Sequence, residues 1–230
     1  MKFCRVHQDK TADGWKHFVQ GCGDFSEFTW YPAELQPRFQ RYRARKTIMT
    51  KREKQLPEFQ RPKKWFKPTE WQKVKKMKVF GLTTSTGKQL VFEVPNGKGN
   101  FDSAKWATYL KKRVGPFLKK AFPDKRSFRL LLDGEGLLHA PEAKGAMRQL
   151  NINILEKWPA HSGELNPQEH VWATTEDDLR TLENGKESFQ DWKKLVITAA
   201  KMYKSPEKLV GMMARKVREC LERKGASLNE

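Results

Sequence analysis

Apolar and polar positions alternate through residues 17–31, "HFVQGCGDFSEFTWY", where Phe18, Cys22, Phe28 and Trp30 share one parity. That period of two predicts an extended segment with one buried face. Two further runs, "KMKVFGLTT" (76–84) and "KQLVFEV" (88–94), flank the turn residues "STG" and predict a hairpin. The period then lengthens. Trp106, Tyr109, Leu110, Val114, Phe117 and Leu118 recur at helical spacing across 102–121, with a kink expected at Gly115-Pro116. "FRLLLDG" (128–134) is a continuous apolar run ending in a turn, as in a buried strand. A short helix starting at Pro141 (141–150) and a short strand "INIL" (152–155) follow. Glu169, Trp172, Ala173, Glu176 and Leu179 then lie on one helical face. Helices over 188–204 and 205–224 complete the chain, the last opening at Ser205-Pro206 and ending at Gly225. Its stripe of Leu209, Met212, Met213, Val217 and Leu221 reads as core packing. Three antiparallel strands followed by crossover units predict an α/β fold, a mixed five-stranded sheet flanked by helices.

Charge changes the picture of the surface. The 230 residues hold 46 Lys+Arg against 27 Asp+Glu, a formal net charge of +19, with 37% hydrophobic residues. Such a protein attracts polyanions, which makes nucleic acid the leading partner class and an anionic membrane surface the other. No segment approaches the ~20 apolar residues that span a bilayer, and "MKFCRVHQDK" lacks the apolar run of a secretion signal. Cys4, Cys22 and Cys220 form neither a disulfide framework nor a zinc motif, so a reducing compartment is expected. Between Arg38 and Lys78 there are sixteen Lys/Arg and three Glu, interrupted by prolines and interleaved with aromatics. This basic insertion after the first strand predicts nucleic-acid contacts from Arg41, Arg43, Arg45, Lys46, Lys51 and Arg52. Arg61, Lys63, Lys64, Trp65 and Lys67 continue the set, with the aromatics able to stack on bases. The alternative is a solvated loop whose aromatics pin it to the domain.

Three acids stand out, each with a second explanation. Asp24 shares the inward parity of the first strand, where a desolvated acid needs a partner; a loop or edge aspartate is the alternative. Asp133 ends a buried strand at the edge where open α/β sheets bind ligands, although Asp-Gly is also an ordinary turn. Glu169 lies three residues after Asn166 in "NPQE", so it fits a capping box with Asn166 as cap and Pro167 as first helical residue. The same place favours an ionised carboxylate near the positive end of the helix dipole. Brought together by the order of elements, the three would suit Mg²⁺ or Mn²⁺. Two such ions about 4 Å apart can activate a nucleophile and stabilise the leaving oxygen of a phosphodiester.

"WPAHSGELNPQEHVW" (158–172) resembles the "wP..SPDLNPiEnvW" signature of mariner-type transposases of the DDE superfamily. "LLLDGEGLLHA" resembles that family's "qDNa..H" segment, and "GDFSEFTWYP" its first-strand "DE..F" segment. The resemblance runs from about residue 15 to 184 and implies a ribonuclease H-like fold. It implies that Asp24, Asp133 and Glu169 are the catalytic, metal-binding triad, with thirty-five residues between the last two. The implied activity is Mg²⁺- or Mn²⁺-dependent cleavage at transposon ends and strand transfer into target DNA, with two ions and a homodimer. His139, His161 and Asn166 lie near that site and could hydrogen-bond metal ligands or contact phosphate; for each histidine a structural or surface role is the alternative.

The resemblance further implies one catalytic domain over 1–230, with the basic insertion at 38–78, C-terminal helices at 188–225 and no helix-turn-helix domain before it. A nuclear location is implied if the source is eukaryotic, a cytoplasmic one otherwise. The sequence departs from the signature at Gly134, where the family has Asn, and at Gly163 and Glu164, where it has Pro-Asp. These departures leave open an inactive or domesticated nucleic-acid-binding protein that keeps the fold; a ribonuclease H-like nuclease is the other alternative.

Overall fold

A computed structural model describes residues 2–35, 67–95, 101–132, 136–155, 158–159 and 163–225, except for the side chain of His139. Helices α1 (Lys2–His7) and α2 (Ala12–Phe18) come first. Thr11 caps α2, its hydroxyl oxygen accepting from the Gly14 N–H at 3.0 Å. His17 and Phe18 therefore end a helix, and the extended segment expected from residue 17 begins only at β1 (Gly21–Trp30). A short helix, α3 (Pro68–Trp71), precedes the hairpin of β2 (Lys75–Thr84) and β3 (Gln89–Val94). Gly87 closes that hairpin at φ 83°, a left-handed conformation suited to glycine.

The next helix runs as α4 (Ser103–Tyr109), one π turn (Leu110–Val114) and α5 (Gly115–Ala121). Pro116 obstructs regular α-helical bonding in the turn before it. The chain widens there, and the Gly115 N–H bonds the carbonyl of Leu110, five residues back. Then come β4 (Phe128–Leu132), α6 (Gly136–His139), α7 (Pro141–Gln149) and β5 (Ile152–Ile154). A 3₁₀ turn (Gly163–Leu165) leads into α8 (Gln168–Leu182), followed by α9 (Phe189–Lys201). The segment expected as one helix from 205 opens with Ser205 at φ 59° and two 3₁₀ turns, and becomes α10 only over Met213–Glu222.

The sheet is five-stranded and mixed, in the order β3-β2-β1-β4-β5. β2 runs antiparallel to both β1 and β3, while β4 runs parallel to β1 and β5. Alternation divides the core between two faces. Cys22, Phe28, Met77, Val79 and Leu131 pack with Trp15, Trp172, Trp192, Met213 and Val217 of α2, α8, α9 and α10. Phe25, Phe80, Leu130 and Leu132 pack with Trp106, Leu110, Leu118 and Ala146 of α4, the π turn, α5 and α7. The N-terminal helices join the first face beside the last helix. Gly211, just before α10, comes so near α2 that an added Cβ would stand 3.2 Å from that of Ala12. Cys4 of α1 sits among the residues of α10, where burial, then the Cys220 thiol, pushes its own thiol up to about 12. All three cysteines are buried and unbridged.

Of the basic insertion, 38–66 lie outside the described residues. Its last four positions, Lys75–Lys78, belong to β2. Met77 is buried in the core, while the lysines lie at the start of the strand, where Lys76 pairs with Glu27 and the Lys78 ammonium sits 4.7 Å over the Phe25 ring. Trp71 packs beside Tyr31, ring centroids 6.4 Å apart, so this aromatic anchors the segment to the domain.

Close packing makes two substitutions diverge. A Cβ on Gly81 would stand 2.4 Å from Cη2 of Trp172, so Gly81→Ala is expected to lose about 1–3 kcal/mol of stability in urea unfolding. Gly145, inside α7, has nothing within 4 Å of such a Cβ, and Gly145→Ala is expected to gain about 0.5–1 kcal/mol.

His7 supplies a pH dependence. It is enclosed by Phe3, Trp15 and Phe18, and burial, then Lys10 and Arg129, hold its imidazole below the usual value of 6.5. The fold therefore prefers neutral His7, and stability falls as pH drops through 6.5 towards the depressed folded value. Between about pH 7.5 and about pH 5.5, His7→Gln is expected to flatten this decline in urea midpoints.

Candidate active site

Asp24 lies near the middle of β1, only 6% exposed, on the sheet face that α8 covers. Its Oδ1 accepts the Phe25 N–H at 2.8 Å. Across the antiparallel pair its partner is Gly81, and the missing side chain there makes room for Trp172 and Gln168 of α8. The N-terminus of α8 is thus pressed onto the sheet at the register position of Asp24. On the other side of β1, Gly23 pairs with Leu132, the last residue of β4. Asp24 and Asp133 are the next residues along those two parallel strands. Asp133 itself lies outside the described residues, as do Gly134, Glu135 and His161.

Two fully buried amides fasten α8 to this place. Asn166 donates from Nδ2 to the carbonyl of Gly23 at 3.2 Å, and its Oδ1 accepts the Gln168 N–H at 3.1 Å. Gln168 accepts at Oε1 from the Thr83 hydroxyl at 3.0 Å. Sequence reasoning placed Asn166 in the site but passed over Gln168, which "NPQE" presents as an ordinary polar helix residue. No periodicity reveals that it lands over a glycine in β2.

The expected capping box does not form. The Asn166 N–H donates to the carbonyl of Gly163 at 2.7 Å, so it does not engage the Glu169 carboxylate. Asn166 still caps through its side chain, but α8 begins at Gln168 rather than Pro167. Glu169 is exposed, and its Oε1 lies 3.5 Å from the point where a Cβ on Gly163 would stand. A cavity of about 390 Å³ opens here, lined by Gly163, Glu164, Glu169, His170, Ala173 and Lys216.

Nothing in the sequence pattern singles out Lys216. It sits on α10 only 6% exposed, with its ammonium donating to the main-chain oxygen of Glu164. Burial, then Arg215, pulls its affinity for a proton down, while Glu219, Glu164 and Glu169 act the other way. His170 is likewise held below its usual value, by burial and then by Lys216 and Arg215. The charge pattern around Glu169 is therefore mixed.

Among the described residues, no group of three His, Cys, Asp or Glu stands close enough to hold a metal ion. Asp24 and Glu169 are hard oxygen donors of the type Mg²⁺ and Mn²⁺ prefer. Of the nucleic-acid-contact residues expected from the insertion, only Lys67 is described. Its side chain is exposed, and its N–H bonds Glu70 at the start of α3. The other ten lie outside the described residues. No helix among the described residues is long and apolar enough to cross a membrane.

No protein-family model matches the chain, and no curated relative does. Solved structures do. The catalytic domain of Mos1 mariner transposase superposes with a TM-score of 0.62 at 12% identity, over 99% of this chain and 92% of that one. This chain has the fold of the Mos1 catalytic domain. The Mos1 catalytic domain with raltegravir and manganese gives 0.59 at 14% identity, over 99% and 93%. A pre-cleavage Mos1 transpososome gives 0.67 at 14% identity, over 99% of this chain and 60% of that chain. The likeness therefore spans the ribonuclease H-like sheet and its helices, and about three-fifths of the transposase chain in that assembly.

The amide clasp at the mouth of α8 carries a measurable share of stability. Asn166→Ala removes a buried donor to β1 and a helix cap together. It is expected to lose about 2–4 kcal/mol in urea unfolding, with slope unchanged.

Proposed function

We propose that the chain is the catalytic domain of a mariner-type DDE transposase. In this reading Asp24, Asp133 and Glu169 hold divalent metal ions, and the substrate is DNA at transposon ends and in the target. One observation carries it: α8 is fastened to β1 beside Asp24, at the strand pair that leads into Asp133. That fastening supports a site in which Asp24 of β1, Asp133 after β4 and Glu169 of α8 act together. The mariner fold, the motif at 158–172 and the +19 charge support the same substrate class.

Bound Mg²⁺ or Mn²⁺ would activate an attacking hydroxyl and neutralise charge on the leaving oxygen. The chain's own contribution is to hold the carboxylates. Burial of Asp24 and its bond from the Phe25 N–H fix that carboxylate. Asn166 fixes the angle at which α8 leaves the sheet, and with it the starting point of Glu169. Basic residues of the insertion would track the phosphate backbone, and paired-end complexes of Mos1 make a homodimer the natural assembly to test.

A non-enzymatic DNA-binding descendant is the second reading, favoured by one feature. The buried Lys216 ammonium lies within electrostatic reach of Glu169 and competes with any other cation there.

Labelled duplex DNA incubated with Mn²⁺ or Mg²⁺ separates the two. The wild type is expected to nick or cleave, and Asp24→Asn, Asp133→Asn and Glu169→Gln each to reduce the rate by at least about 10²-fold. Retained, salt-sensitive binding without metal-dependent products from the wild type would favour the non-enzymatic reading.

A further inference from the structure

A lysine is almost never this buried without a partner, and the Lys216 ammonium donates to a backbone oxygen in the 3₁₀ turn that precedes α8. The turn is short, and its role follows from three contacts. Gly163 gives its carbonyl to the Asn166 N–H at 2.7 Å. Asn166 then ties the segment to Gly23, one residue before Asp24. Glu169 folds back so that its Oε1 rests 3.5 Å from where a Gly163 side chain would begin. The shape of the turn thus sets the seat of the Glu169 carboxylate. Yet the turn opens on glycine, the residue with the most backbone freedom to lose. A rigid element must supply what the sequence of the turn does not, and α10 is that element.

We propose that Lys216 is the positioning residue for Glu169: its ammonium clamps the Glu164 carbonyl and holds the Gly163–Leu165 turn in the shape that presents Glu169 to a divalent cation. The proposal rests on Glu169 being a metal ligand. Two effects of the ammonium oppose one another. As a nearby positive charge it disfavours a second cation, so its removal would tighten metal binding. As a clamp it preorganises the ligand, so its removal weakens binding, and loss of such supporting contacts typically costs about 10–100-fold in metal affinity. The sign of the change identifies which role dominates.

The test uses the full chain in four forms: wild type, Lys216→Met, Lys216→Met with Gly163→Ala, and Glu169→Gln. Met keeps the length of the side chain without a buried charge. Ala at 163 meets Glu169 only at ordinary contact distance and stiffens the turn. Mn²⁺ affinity is read by paramagnetic resonance, and amide hydrogen exchange over 163–169 by NMR without metal, with α9 amides as the internal reference. Lys216→Met is expected to bind Mn²⁺ about 10-fold more weakly and to exchange faster over 163–169 alone. Gly163→Ala is expected to restore part of both. Unchanged or tighter Mn²⁺ binding in Lys216→Met would overturn the proposal. If Glu169→Gln binds Mn²⁺ as well as the wild type, Glu169 is not a ligand, and exchange alone decides. Faster exchange in Lys216→Met then upholds the clamp, and unchanged exchange removes it.

Discussion

Everything at the candidate site depends on one buried amide. Asn166 is fully enclosed, and its side chain must satisfy a donor and an acceptor away from water. It does so by joining two elements that share no covalent proximity: the carbonyl of Gly23 in β1 and the first N–H of α8. A hydrophobic contact would tolerate sliding, because burial has no direction. A pair of hydrogen bonds at 3.2 and 3.1 Å does not, so the helix is fixed in both angle and register. Gly81 completes the arrangement by removing the one side chain that would keep Trp172 and Gln168 off the sheet.

Much of the fold was legible because the periods were clear. Cys22, Asp24 and Phe28 shared a parity, and Cys22 and Phe28 indeed bury in the same layer. The hairpin, the Pro141 helix and the short strand at 152–154 lie where alternation and punctuation put them. What escaped was tertiary in origin. Helices α1 and α2 are too short for a period to stand out, and they are held by Phe3, Cys4 and Trp15 packing on α10 and its neighbours. Gly115-Pro116 marks an irregularity in the helix, and it takes the form of a π turn whose Leu110 and Val114 stay buried.

The site was legible in its residue types and much less in its bonding. Glu169 was explained by a capping box, yet the Asn166 N–H finds the nearer carbonyl of Gly163. The glutamate side chain is therefore not committed to that bond. Gln168 and Lys216 were invisible for a common reason. Each is a polar residue in an amphipathic helix, and only the opposing surface decides that it faces inward. Asp133, His139 and His161 keep the standing that the sequence motif gives them, because neither Asp133, His161 nor the His139 side chain is among the described positions.

The packing of α1 and α2 against the segment leading into α10 bears on how the molecule assembles. Ala12 touches the surroundings of Gly211, a contact between the two ends of the sequence. Closing so large a loop costs entropy, which burial of the joining residues offsets. Phe3, Cys4 and Trp15 from the first two helices pack with Met213 and Val217 of the last, in the layer that holds Lys216. The two ends of the sequence thus meet on the side of the sheet that carries Asp24 and α8, so the seat of Glu169 is supported by both.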